Sequence, residues 1–281
     1  MKKFYFVVLS AIMFGAVIVA CTSGNECTPI NELESPLLSN SSTDTESDWS
    51  AFYHALDSLN AKYNNYQPND GKRSVGLVFP KSDQVASVDA TGAVIWYEIL
   101  KQFPDGSFQV KETTIVISVL YSLERYKEEL DTTSSTLQAI CNPSSISRLR
   151  STNPAVAIGE EHNIVIADLL EVDSIFDMTR MEVIDEIISL YEQNCKTINL
   201  ASKNLLRSFN TLRIPSLGRN VQQANDNFTL TVAPLNMQAK RDYTEEYLDL
   251  VDASVLNSND KAQMSIYATV MYYSSSLWQL D

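Results

Sequence analysis

The sequence predicts an all-α fold, an irregular bundle of seven or eight helices. Three observations carry this. From residue 48 onward, apolar residues recur at steps of three and four. Several of these stretches open on good capping residues. Strand-like alternation is confined to one short segment near residue 230. No internal repeat is visible.

Each helix rests on its own stripe. Trp49, Phe52, Tyr53, Leu56, Leu59 and Tyr63 mark the first, with Ser47 or Asp48 as its cap and His54 off the stripe at the surface. Asn69-Asp70-Gly71 is a turn, and Ser74 to Phe79 is a short apolar run ended by Pro80. Val85, Val88, Gly92, Ile95, Trp96, Ile99 and Phe103 mark the second helix, capped by Ser82. Gly92 falls on its buried face, where a missing side chain lets another helix approach at a propensity cost of about 1 kcal/mol. Asp89 borders this face and reads as a flank carboxylate at the solvent edge. Pro104-Asp105-Gly106 closes the segment.

Ile115, Val119, Ser122, Leu123, Tyr126 and Leu130 follow at helical spacing. Residues 113–119 are β-branched enough for a strand, but the continuation from Leu123 to Leu130 favours a helix. Residues 131–153 are polar and predict a loop with one turn of helix at most. Asn153-Pro154 suits a helix start, with Ile158, His162, Val165, Ile166 and Leu169 on its inner stripe. Thr179-Arg-Met-Glu182 is a capping box that opens a helix facing inward through Ile184, Ile187, Ile188, Tyr191 and Cys195. Leu200 to Phe209 continues as a further helix or as a bent extension of the one before it. Residues 210–240 read as polar connection with a short strand at Phe228-Thr-Leu-Thr-Val232. Thr244 to Leu256 is an acidic helix. Asn257 caps the last helix, whose core face is Ala262, Ile266, Val270, Tyr273 and Leu277, with Trp278 near its end.

Charge narrows the function classes. The chain has 281 residues, 35 acidic and 21 basic, for a net charge of −14. A chain this acidic, without a basic cluster, is not built to neutralise nucleic-acid phosphates. An apolar content of 44% is too high for a wholly disordered protein.

The first twenty-one residues carry an address. Lys2 and Lys3 precede an apolar run from Phe4 to Val19, the order of a secretory signal peptide. The run is shorter than the roughly twenty residues that span a bilayer comfortably. Ile18-Val19-Ala20-Cys21 resembles the lipobox of bacterial lipoproteins, with Ile18 where the family prefers Leu and Val19 where it prefers Ser or Ala. The resemblance implies cleavage after Ala20, a diacylglycerol on the Cys21 sulfur and an acylated amine, palmitate being a usual chain. Each buried methylene adds about 0.8 kcal/mol to such an anchor. Thr22 is not the Asp that retains enterobacterial lipoproteins at the inner membrane, so outer-membrane placement is expected, periplasmic or surface-facing.

Three segments result: a signal peptide over 1–20, the lipidated cysteine with a disordered tether over 21–47, and a helical domain over 48–281. The tether is rich in Ser, Thr, Asn and acids and too poor in apolar residues to offset its ordering entropy. A coil of this length reaches roughly 25–30 Å. Cleavage removes two lysines and no acids, so 19 basic residues face 35 acidic ones, a side-chain charge of −16. An anionic membrane surface repels such a body, which leaves the lipid as its anchor.

The lipobox, Asp89-Ala-Thr-Gly-Ala93, Gly159-Glu-Glu-His-Asn163 and the segment from Ser258-Asn-Asp-Lys261 to Leu277-Trp278 together resemble uncharacterised, mainly helical lipoproteins of Bacteroidetes. That resemblance implies location and fold class and brings no catalytic residues.

Chemistry is sparse. His162 shares an apolar helix face with Glu160, Glu161 and Asn163 nearby. It is the weak catalytic candidate, though a structural core histidine is the favoured reading. No zinc spacing, nucleophile elbow, phosphate loop or calcium loop is present, and no cofactor or metal is expected. Glu182, Asp185 and Glu186 share one helix, and Glu245, Glu246, Asp249 and Asp252 another. Paired acids can serve a glycosidase, yet a solvated face is the commoner role. Tyr267, Tyr272, Tyr273 and Trp278 read as core packing before a ligand groove. Once Cys21 carries lipid, Cys141 and Cys195 are the cysteines of the folded body and a possible disulfide. The expected function is a non-catalytic helical domain that binds an envelope protein or ligand. The alternative is an envelope hydrolase acting on glycan or peptide through His162 or paired carboxylates.

Overall fold

In the computed structural model, residues 45–63, 81–103, 107–132, 137–139, 146–208 and 217–280 are described. The signal peptide, Cys21, and the tether as far as residue 44 lie outside them. So do Asn69-Asp70-Gly71, the run from Ser74 to Phe79, Pro104-Asp105-Gly106 and Cys141. Residues Ser42–Asp281 form one unit. Among the described residues there are nine α-helices: α1 Glu46–Tyr63, α2 Lys81–Lys101, α3 Val110–Thr132, α4 Val156–Leu170, α5 Arg180–Asn194, α6 Leu200–Ser208, α7 Arg219–Val232, α8 Met237–Ala253 and α9 Ser258–Leu277. The fold is all-α, as periodicity predicts.

α9 is the axis of the bundle. Every residue from Gln263 to Leu277 is buried. It packs most extensively on α2, then on α4 and α8, while α3 bridges α2 and α4 and α1 lies on α8. Asn257 starts α9 by accepting the Asn259 and Asp260 N–H groups, which satisfies two donors that the first turn leaves open. α5 opens on the expected capping box, with Thr179 and Glu182 bonded reciprocally. At the N-terminal side of α4, the Asn153 side chain accepts the Ala155 N–H, and regular helix begins at Val156.

Three expectations change. Phe228-Thr-Leu-Thr-Val232 is not a strand but the last turns of α7, which buries Val221, Ala224, Asn225, Phe228, Thr229 and Val232. Phe228 and Val232 are four residues apart and satisfy both periods. Leu230, which a strand would turn to the same side, is 44% exposed. α8 begins at Met237, capped by Asn236, seven residues before the acidic stretch that announced it. The loop expected over 131–153 contains a three-residue strand, Leu137–Ala139, antiparallel to Trp278–Leu280. Trp278 therefore ends α9 rather than continuing it.

α2 is rotated relative to its large-residue stripe. Val88 and Phe103, expected inside, are exposed, whereas Ala86, Asp89, Ala90, Ala93 and Val94 are fully buried. Small residues allow close helix approach. A β-carbon on Gly92 would meet the Tyr121 ring of α3 at 2.7 Å, so the expected close approach at Gly92 is present.

Candidate functional site: a sealed polar cluster

The rotation of α2 carries Asp89 into the core. Its exposure is 0%, against the solvent-edge position expected for it. There it joins side chains from three other helices: Ser118 and Ser122 of α3, His162 and Asn163 of α4, and Ser274 of α9, with Trp278 just beyond. All are buried. The Ser122 hydroxyl lies 2.9 Å from His162 Nε2. His162 Nδ1 lies 3.0 Å from Asn163 Oδ1, and Asn163 Nδ2 donates to the Tyr273 carbonyl at 2.5 Å. On the other side, Ser274 donates to Asp89 Oδ2, while Trp278 Nε1 donates to Ser274 at 3.1 Å. Ser118 donates its hydroxyl proton to the Asp89 backbone carbonyl at 3.0 Å.

Burial disfavours charge on both titratable members. It lifts the Asp89 carboxyl to about 7, against the opposing pull of the Ser122, Ser274 and Trp278 donors. It lowers the His162 imidazole to about 4, against Asn163 and the Ser118 carbonyl. The cluster is therefore neutral through most of the mildly acidic range. Ser122, His162 and Asn163 stand in the bonded order of a nucleophile, a base and an orienting group. None of the three meets solvent in this arrangement.

The other candidates disperse. Glu182 is consumed by its capping box. Asp185 pairs with Arg207 at 2.7 Å. Glu246 pairs with Lys62 and accepts from the Tyr63 hydroxyl. Glu245 accepts the Arg150 N–H at 2.8 Å, and Asp252 accepts from Asn153. Among the described residues no group of three or more His, Cys, Asp and Glu side chains is placed to hold a metal ion. Tyr267, Tyr272, Tyr273 and Trp278 are core residues with polar ends bonded: Tyr267 to Thr229, Tyr272 to the Ser147 carbonyl, Tyr273 to Glu160, and Trp278 to Ser274. Cys195 is a free thiol at the end of α5, and burial pushes it up to about 11. His54 is exposed, as its position off the stripe predicts.

A groove of about 170 Å³ lies between α3, α5 and the turn at 175–178. Leu120, Leu123, Phe176 and Val183 form its apolar floor, with Lys127 and Arg180 at the rim. Lys127 caps the Phe176 carbonyl at 2.6 Å, and Arg180 stands 3.5 Å from Glu124. None of the lining residues belongs to the polar cluster.

Sequence reasoning missed Asp89 as a cluster member and saw Ser122 only as part of a stripe. The available signal was the alanine series Ala86, Ala90 and Ala93, which shares a face with Asp89 at helical spacing and marks a close-packed side. No protein family, curated protein or solved structure matches this chain.

Proposed function

We propose that this chain is an outer-membrane-anchored lipoprotein whose helical body is a non-catalytic module that binds an envelope protein or a ligand. The anchor half of this reading rests on Lys2-Lys3, the apolar run and Ile18-Val19-Ala20-Cys21, and on the resemblance to helical lipoproteins of Bacteroidetes. No described helix is long and apolar enough to cross a membrane. The non-catalytic half rests on one observation: His162, the histidine best surrounded for chemistry, has 0% exposure and both ring nitrogens engaged inside the core.

The hydrolase alternative draws on the Ser122–His162–Asn163 order and lacks an open face. Two measurements test the pair of readings. Metabolic labelling with an alkyne palmitate, followed by membrane fractionation, should mark the parent and not Cys21→Ser. Equal labelling and processing of both would remove the anchor. A fluorophosphonate probe should leave Ser122 unmodified, and its covalent capture at Ser122 would restore the hydrolase.

A further inference from the structure

We propose that the groove between α3 and α5 is where this body takes its partner, and that the partner is a protein segment that seats one large apolar side chain there with a carboxylate beside it. This rests on the binding-module reading above and adds the place and the chemistry of the contact.

Size selects the occupant. A closed cavity of about 150 Å³ holds one benzene ring, and pockets that enclose a whole drug-sized ligand run from about 300 to 1,000 Å³. The groove measures about 170 Å³. It therefore suits one phenyl or branched side chain whose backbone stays outside, rather than a complete small molecule or a long acyl chain. A single large apolar residue in a well-packed pocket carries much of the energy of many protein contacts.

The lining is built to receive such a group. Leu120 and Leu123 of α3, Ile175 of the turn and Val183 of α5 are buried and form the floor, and Phe176 and Met178 are half-buried walls. The Phe176 wall is backed by the core: its ring lies 5.9 Å from Tyr126, which stacks on Trp278 at 4.7 Å. The turn is held by Ser174 in the left-handed region at φ 61°, uncommon for a residue other than glycine, and by Lys127 on the Phe176 carbonyl at 2.6 Å. Met178 is the adaptable part, since an unbranched thioether conforms to different shapes.

Charge selects the neighbours of the anchor. The chain has 35 acidic residues against 21 basic ones, yet this groove is edged by two cations, Lys127 and Arg180, and one acid, Glu124. Lys127 is exposed and gives one of its three N–H groups to Phe176, which leaves two for a carboxylate. The Arg180 guanidinium, a fork of five donors, stands 3.5 Å from Glu124 with 38% of its side chain exposed. Asp173 and Asp177 of the turn are exposed and lie outside the lining, so the favourable edge for an acid is the one that bears Lys127 and Arg180. The N-terminus of α5 is not part of the anion contact, because Thr179 and Glu182 already close it.

The experiment titrates the full chain, in phosphatidylcholine nanodiscs and with ¹³C-labelled methionine methyl groups, with three peptides. They are acetyl-Ser-Glu-Phe-Glu-Ser-amide, its lysine analogue acetyl-Ser-Lys-Phe-Lys-Ser-amide, and its alanine analogue acetyl-Ser-Glu-Ala-Glu-Ser-amide. Met178 reports the groove, and Met264 and Met271, fully buried in α9, report the fold. The first peptide should shift Met178 with a dissociation constant of about 1 mM, the strength of one anchor with exposed charges beside it, and leave Met264 and Met271 in place. The lysine analogue should bind about tenfold more weakly, and the alanine analogue should not shift Met178. When Lys127→Glu and Arg180→Glu are combined, the lysine analogue should become the tighter ligand.

The parent chain alone decides the matter should that variant fail to fold. No Met178 shift with any peptide, equal shifts from the phenylalanine and alanine forms, or equal affinity for the glutamate and lysine forms overturns the proposal. So does sodium decanoate shifting Met178 at a lower concentration than the first peptide, which assigns the groove to an acyl chain. None of these results alters palmitate labelling at Cys21 or the fluorophosphonate outcome at Ser122, so the anchor and the non-catalytic reading stand or fall by their own measurements.

Discussion

Gly159 of α4 lies against the Thr269 carbonyl of α9. A β-carbon at 159 would sit 2.8 Å from that oxygen and 2.6 Å from the Tyr273 ring. The contact explains how the buried axis helix and the helix bearing His162 come close enough for Asn163 to reach the Tyr273 carbonyl. Thr269 adds to the junction by donating to the Ala155 carbonyl at 3.0 Å.

Gly159→Ala should therefore destabilise the fold despite alanine's better helix propensity. The obstacle is backbone, which cannot rotate away. Overpacking of this kind costs about 1–3 kcal/mol, read as a lower midpoint in denaturant unfolding. Gly92→Ala meets only the Tyr121 ring edge and should cost less, because a side chain can move.

Lys240 and Asp83 form a buried pair, 2.6 Å apart with side-chain exposures of 7% and 1%. Burial raises the Asp83 carboxyl even with Lys240 beside it. Lys240→Met leaves that carboxylate in the core without a partner and should cost about 3–5 kcal/mol. Combining it with Asp83→Leu should recover most of the loss, since two apolar side chains need no partner. A double-mutant cycle on unfolding free energies checks both statements.

The Asn257 cap carries the start of the helix on which most of the bundle packs. Asn257→Ala withdraws the acceptor from two N–H groups and should cost about 1 kcal/mol. Thr179→Ala removes half of a capping box on α5 and should cost a similar amount. Thermal unfolding of the two variants checks this.

Cys195 should react slowly in the native state. Its thiol is partly buried and raised to about 11, so little thiolate exists at pH 8. Iodoacetamide labelling mapped by peptide mass should show Cys195 modified many-fold faster after denaturation. Equal rates in the two states would contradict the burial.

Much of the fold was legible because helical periodicity is local. The stripe Trp49–Phe52–Leu56–Tyr63, the capping box at Thr179 and the Asn257 cap each involve residues within a few turns, and all three are present. α7 was illegible for the same reason. Its Phe228-Thr-Leu-Thr-Val232 end satisfies two periods, and only burial against other helices decides between them.

The sequence by itself determined the all-α class, the acidic surface and which residues had the chemistry to form a site. It also limited that site, since two histidines and scattered acids offer few constellations. Tertiary structure alone decided that Asp89 lies inside. The side of α2 that faces α9 depends on how closely small residues let the helices approach, and large apolar residues dominate a one-dimensional stripe. Ser122, His162, Asn163, Ser274 and Asp89 span 185 positions of sequence, and no local pattern joins them. Their meeting is a property of four helices packed at once, and burial there gives a carboxyl and an imidazole their shifted proton affinities.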